Sequence, residues 1–381
     1  MKKAVRYIFC AFWIVFPLAL NAQKVKTQFE NQISGWTTVN FNDHTGYQLG
    51  GRYIPTLSLS DSLGKSRTVS AEVSINAYGN YITSANYSDF NGNIKPYRLW
   101  LRYTLPRLEL RIGLQKISFG SASVLRPLMW FDRIDVRDPL QLTEGVYSFL
   151  GRYYFQNNVN LWFWTLYGNN DPMGWETIPT KKHIPEFGGR IQLPVPKGEV
   201  AVSYHHRKAE TAFDTMYIIN NVMFPEDRLG IDGKWDLGVG IWFEAVAKHN
   251  SIADSWIPSW ETYVNLGMDY TFGLGNGLNV ITEYFRYGNN LQFPGNGLTS
   301  NFSVLSVNYP FGLMNTLSGM VYYNWDQKDW YRFISFQRKY DYLSLYLMAF
   351  WNPDRFALYS IDEDRNLFAG KGIQLMAVLN F

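Results

Sequence analysis

Cysteine is nearly absent: the only one, Cys10, lies close to the N-terminus, so no disulfide can staple the fold and no thiolate cluster can hold a metal. Histidine is scarce too, at five residues, and leaves few general bases. Beyond residue 22 no apolar run approaches the roughly 20 residues that a membrane-crossing helix requires, which excludes a helical membrane protein. Excess charge is missing from the body of the chain. The 35 basic residues outnumber the 32 acidic ones by three, and Lys2, Lys3 and Arg6 account for that whole excess. A basic nucleic-acid binder is thereby disfavoured. What the chain has in quantity is aromatic: 14 Trp, 26 Tyr and 26 Phe, too many for an ordinary exported soluble domain to cover.

Residues 1–22 read as a secretory signal peptide: a basic start, the apolar run Tyr7 to Leu20, then Asn21-Ala22-Gln23, with cleavage expected after Ala22. The competing reading is an uncleaved anchor.

The dominant period in the remainder is two. Val69, Ala71, Val73, Ile75 and Ala77 alternate with Ser70, Glu72, Ser74 and Asn76, the pattern of a strand whose faces meet different solvents. The same alternation recurs at Leu99 and Leu101, at Leu108, Leu110 and Ile112, at Ile241, Phe243 and Ala245, and at Val264, Leu266 and Met268. About eighteen such segments follow one another, or sixteen if the poorly alternating Phe302–Tyr309 and Tyr331–Gln337 are left out.

Alternation alone does not separate a soluble sandwich from a membrane barrel; the connections do. Every second connection is short and turn-like, for example Asp61–Ser66, Pro106-Arg107, Asp236–Gly238 and Gly273–Gly277. The others are mostly long and polar: Asn80–Ile94, Ile117–Glu144, Gly168–Pro185, Lys208–Glu226, His249–Ser259, Gly288–Ser300 and Asn352–Lys371. Short turns at one end and long loops at the other predict an all-β, antiparallel, up-and-down transmembrane barrel over residues 23–381. Aromatics crowding the segment ends, among them Trp162, Trp164, Tyr263, Tyr270, Tyr322, Trp325 and Tyr331, suit interfacial girdles. The length leaves no room for a plug domain beside a 22-stranded barrel, and barrels of sixteen to eighteen strands enclose a channel. Passage of small hydrophilic solutes is the function expected in the outer membrane. A barrel that anchors surface loops for adhesion, or for contact with a secretion complex, is the alternative.

If apolar positions face lipid, their neighbours face the pore. This places Arg52, Arg98, Arg102, Arg111, Arg152 and Arg190 in the lumen with Glu72 and Glu109, and on the later strands Glu244, Glu261, Asp269 and Glu283. The expectation is a guanidinium-rich wall opposite a more acidic one, able to favour anions. The plainer reading is charges that solvate a wet lumen. The long loop 117–145 mixes Arg126, Asp132, Arg133, Asp135, Arg137 and Asp138 with Leu128, Met129, Trp130 and Phe131. It is expected to fold inward as a constriction, its charges paired with strand charges; a lid on the outer loops is the other option.

The final strand, Ile373, Leu375, Ala377, Leu379 and Phe381, resembles the closing strand of Gram-negative outer-membrane barrels, which implies recognition by the barrel-assembly machinery. The stretch Leu110-Arg-Ile-Gly-Leu-Gln-Lys-Ile-Ser-Phe-Gly120, followed by Asp138-Pro139, resembles a hairpin of alginate-export-type porins. That likeness implies eighteen strands, an Arg-rich lumen and anionic, uronate-like solutes. Leu114 stands where those porins often carry Arg.

A carbohydrate-selective channel is also considered, in which Trp36, Trp100, Trp162, Trp164 and Trp242 form a slide for sugar rings. Catalysis has little support. His205 and His206 are adjacent on a strand and point to opposite faces, so they cannot share a metal. No catalytic residue, metal or cofactor is assigned. The partners expected are outer-membrane lipid, small solutes and further copies of the chain in a homotrimer, with no nucleic acid.

Overall fold

A computed structural model describes residues 25–41, 46–84, 87–215, 218–252, 257–290, 297–353 and 368–381. The leader expected at 1–22 lies outside them.

Eighteen strands run in chain order: β1 (Lys26–Asn40), β2 (Gly46–Ser62), β3 (Thr68–Ser84), β4 (Tyr87–Leu105), β5 (Leu108–Gln115), β6 (Val146–Tyr154), β7 (Asn160–Leu166), β8 (Glu186–Val195) and β9 (Gly198–Thr215). They continue as β10 (Ile218–Asp236), β11 (Gly240–Asn250), β12 (Trp260–Phe272), β13 (Leu278–Asn290), β14 (Leu298–Phe311), β15 (Asn315–Asn324), β16 (Asp329–Lys339), β17 (Leu343–Trp351) and β18 (Lys371–Asn380). Each pairs antiparallel with its sequence neighbours, and β1 pairs with both β2 and β18, so the sheet closes on itself and has no free edge. Beyond β18 the seam is finished by Phe381, whose N–H donates to Asn31 O at 3.0 Å while Asn31 N–H donates to Phe381 O at 2.8 Å. Among the described residues there is no helix and no plug domain.

The faces are inverted relative to a soluble protein. Ile112 is 57% exposed, and Leu266 and Leu375 are each 54% exposed, whereas Arg207, Glu244, Asn265 and His205 are fully buried. Hydrocarbon is the only solvent that favours such an exterior, and the closed ladder leaves it no unpaired backbone group. Girdle aromatics sit beside the short turns as i, i+2 pairs: Tyr153–Phe155, Tyr270–Phe272 and Tyr309–Phe311, with centroids 4.7–4.8 Å apart. Trp164, Tyr263, Tyr322 and Tyr331, expected in the same girdles, are instead buried inside the barrel. Their strand parity turns them inward.

Two of the expected loops are strand. The described residues 80–84 and 87–94, and 208–215 and 218–226, form the upper parts of two long hairpins, paired as far as Ser84↔Tyr87 and Thr215↔Ile218. Once a hairpin rises above the bilayer both its faces meet water, so the alternation that marks a strand disappears although the ladder continues. The weakly alternating segments are also strands, β14 and β16. Their inward Phe302, Val304, Tyr331 and Phe333 are apolar because an aromatic cluster packs on the inner wall there.

Candidate transport pathway

The loop between β5 and β6, residues 116–145, enters the barrel and lies against the inner faces of β6–β13. Carboxylates on the wall hold it by its main chain. Glu244 of β11 accepts N–H bonds from Ser121 (2.5 Å), Ala122 (2.7 Å) and Leu128 (3.0 Å). Glu283 of β13 accepts them from Ser123 (2.7 Å), Val124 (3.0 Å) and Leu125 (2.7 Å). Asn265 of β12 joins the two systems, donating to Leu125 O at 2.7 Å and to Glu283 at 3.0 Å. Charge-assisted bonds of this kind satisfy buried carboxylates without a cation. Gly120 makes the seat possible: its φ is +104°, and a Cβ there would overlap the Glu244 carboxylate.

Aromatic packing completes the anchorage. Phe119 stacks on Trp164 of β7 (5.4 Å, 21°) and meets Trp130 and Phe131 edge-on. Leu125, Leu128, Met129, Trp130 and Phe131 are all buried. Within the loop Arg126 bonds Asp132 (3.1 Å), and Arg137 grips Asp135 through Nη2 (2.6 Å) and Nε (2.8 Å). The loop's charges thus pair chiefly with each other, not with strand charges as expected: the strand carboxylates are occupied by N–H groups. The returning end is held by Arg98 of β4, which donates to Thr143 O at 3.0 Å, and by the Lys95–Glu144 ion pair. Arg133 donates its main-chain N–H to Thr143 Oγ1 at 2.8 Å.

A second loop, residues 167–185 between β7 and β8, packs on the first. Trp175 donates to Arg126 O (2.8 Å) and stacks on Phe285 of β13 (5.0 Å, 19°). Gly174 lies so close to Met129 O, at a φ of +54°, that a side chain there would collide with it. Glu176 reaches the wall at Arg207 of β9 (3.1 Å) and Arg228 of β10 (2.5 Å). Burial alone would raise its carboxyl, but the two guanidiniums outweigh burial and hold it below the usual carboxylate range. Glu226, also bound to Arg207 and Arg228, and the Lys248–Glu261 pair (2.8 Å) extend this buried network. Arg207, Glu226 and Arg228 were missed in sequence, although Arg207 continues the inward alternation of Ser203 and His205.

The acidic wall therefore does not face open water. Glu244, Glu261 and Glu283 are buried beneath the two loops, and only Asp269, near the short turns, stays partly accessible. Arg190 is likewise covered: it binds Asp232 bidentately at 2.6 and 2.8 Å. His205 is buried and accepts Trp164 Nε1–H at 3.2 Å, while His206 on the outer face meets Asp227 at 2.8 Å.

What remains open is bounded by β1–β6 on one side and β14–β18 on the other. On the first, Arg52, Arg102, Arg111 and Arg152 project inward and are only partly buried. Glu109 meets Arg111 at 3.1 Å and Arg152 at 3.7 Å. Among the described residues no carboxylate lies within ion-pair distance of Arg52 or Arg102, and Glu72 faces Trp100 across the ladder. These guanidiniums lie over rings: Arg52 over Trp36 (5.7 Å), Arg102 and Arg111 over Trp100 (5.3 and 4.9 Å), Arg152 over Trp162 (3.8 Å). No row of free indole faces results. Trp164 and Trp242 are buried, and Trp100 and Trp162 already carry cations.

On the other side the inward positions of Phe302–Asn308, Thr316–Tyr322, Tyr331–Gln337, Ser344–Phe350 and Gly372–Val378 include no Lys, Arg, Asp or Glu. Between this wall and loop residues 136–141 lies a chamber of about 380 Å³. Asp138 borders it. Burial raises the Asp138 carboxyl, opposed by its bond from Leu140 N–H (2.9 Å) and by the charge of Arg52. Among the described residues no three His, Cys, Asp or Glu side chains converge to hold a metal ion.

Solved structures share this architecture. Pseudomonas aeruginosa OccK7 (OpdD) superposes with a TM-score of 0.56 at 12% identity, covering 94% of this chain and 99% of its own. The in-vitro folded OmpT of Vibrio cholerae, in trimer form, gives 0.53 at 9% identity over 94% of this chain and 99% of its own. An anion-selective porin from Comamonas acidovorans gives 0.50 at 10% identity, over 94% and 100%. The fold is that of an outer-membrane porin. No protein-family model matches the sequence, and no curated protein matches it either. The narrower likeness to alginate-export-type porins finds no support in these matches.

Proposed function

We propose that the protein is a passive outer-membrane channel for small hydrophilic solutes, with a preference for anions that extends to carboxylates of the uronate kind. The observation that carries this reading is the disposition of charge. On the open side of the lumen Arg52, Arg102, Arg111 and Arg152 face the partly accessible carboxylates of Glu72 and Glu109, while the carboxylates of the far side are consumed in holding the loops. Guanidinium forks suit carboxylate geometry, and unpaired positive charge lowers the barrier for anions. The inward loops act as the constriction. A homotrimer and recognition of the Phe381-terminated strand by the assembly machinery belong to the same proposal; the trimer form of the Vibrio cholerae barrel supports the former.

The test is the current–voltage relation in planar bilayers under a KCl gradient. The channel should show stepwise conductance and a reversal potential on the anion side. Arg52→Gln, Arg102→Gln and Arg111→Gln together should lower the anion-to-cation ratio roughly tenfold, about a factor of two for each charge acting across about 8 Å of water. Arg98 is left intact because it holds the loop. A silent protein would instead favour an anchor for surface loops, and unchanged selectivity would refute the role of the guanidiniums.

A further inference from the structure

We infer that the chamber between the inward loop and β14–β17 binds a neutral polyhydroxylated solute, a sugar or sugar alcohol, on a track separate from the guanidinium wall. This rests on the channel reading and names a solute class and a site that it does not supply. The chamber is formed by Ser306 and Asn308 of β14, Ser318 of β15, Ser335 and Gln337 of β16 and Tyr346 of β17. Hydroxyl and amide groups therefore come from four neighbouring strands. Asn308, Ser318 and Ser335 stand in one cross-strand row, and Gln337 faces Tyr346 in the next.

Strand spacing puts neighbours in a row about 4.8 Å apart, close to the separation of alternate hydroxyls on a sugar ring. Gln337 donates to Tyr346 Oη at 2.9 Å, which leaves its second amide proton to a guest. Met320, on the same wall, offers an apolar surface to the C–H face of a ring. The volume of about 380 Å³ lies within the range of small-molecule sites.

Charge argues against an ion as the guest. The Arg137 guanidinium is gripped by Asp135 and lies 5.5 Å from the Phe333 ring centre, so it is compensated before any solute arrives. An anion would meet the Asp138 carboxyl, and a cation would meet Arg137. A neutral solute keeps its hydrogen bonds and gives up no ionic hydration on entry.

The experiment measures KCl current through the full-length protein in planar bilayers as glucose, mannitol or a polyethylene glycol of matched hydrodynamic radius is added. Glucose or mannitol should block along a saturating curve, and the glycol should only depress the current linearly. Asn308→Leu with Ser335→Val should raise the half-blocking concentration about tenfold, with KCl conductance and the anion-to-cation ratio preserved. Equal behaviour of sugar and glycol, or an unmoved half-blocking concentration, overturns the proposal. Should the wild-type protein carry no current, the channel reading fails, and calorimetric titration of the detergent-solubilised protein with glucose judges the chamber alone. Saturable heat lost in the double variant supports it, and absence of heat overturns it.

Discussion

The two halves of the barrel interior obey one strand pattern and differ in what their inward residues do. From β2 to β13 the inner face is crowded with Arg, Lys, Glu and Asp; from β14 to β18 its central positions carry hydroxyl, amide, thioether, aliphatic and aromatic groups and no charge. The charged half does two jobs that sequence cannot tell apart. On β2–β6 its guanidiniums border open lumen, whereas on β8–β13 most of its charges are covered and spent on structure: Glu244 and Glu283 on loop N–H groups, Arg207, Arg228 and Lys248 on buried carboxylates. An inward charge is thus a pore charge only where no loop lies over it.

The strongest way to break this comparison is to free the loop. Glu244→Ala with Glu283→Ala removes the acceptors of six main-chain N–H bonds. At about 1.5–3 kcal/mol for each charge-assisted bond, the anchorage should fail, unit conductance should rise, and residues 116–145 should become sensitive to added protease in reconstituted membranes. Unchanged conductance would show that the aromatic contacts alone hold the loop.

A smaller effect is expected at the second loop. Glu176→Gln leaves two buried guanidiniums short of a charge and should cost about 3–5 kcal/mol of local stability. The same contact predicts a pH dependence. Because the folded state holds Glu176 below its ordinary value, its contribution is full above the unfolded pKa and is lost as pH falls through the folded one. Trp175 reports this: its fluorescence should shift on acidification below about pH 4, and in Glu176→Gln the low-pH shift should disappear. Asp138 has the opposite sign. Its pKa is raised, so its contribution is greatest below the unfolded value and is lost as pH rises through the folded one.

The smallest effect should come from the neutral half. Gln374→Leu removes a bond of 3.0 Å to Thr38 and should cost about 1 kcal/mol, with ion selectivity unmoved, as judged by thermal unfolding in detergent and by reversal potential. A selectivity change there would mean that this wall, too, steers ions.

Legibility in the sequence followed the physics. Alternation is legible wherever one face meets lipid, so Leu99, Ile112, Leu266 and Leu375 disclosed their strands, while the hairpin tops above the bilayer read as loops. The inward parity of Arg52, Arg102 and Glu283 was equally plain. Whether each would meet water was not, because that depends on a loop contributed from more than a hundred residues away: Glu283 binds Ser123, Val124 and Leu125. The tryptophans suffered the same ambiguity. Trp164 and Trp242 have the parity of a sugar slide, yet packing has taken their faces.

By itself, then, the sequence determined the closed ladder of strands, its inverted faces and its short and long ends, because these follow from local periodicity set against two solvents. Only the tertiary structure decided which inward charges are free and which are buried as fasteners, and so where a solute can pass. Electrostatic environment is set by whatever covers a group, and the loops that do the covering lie far from it along the chain.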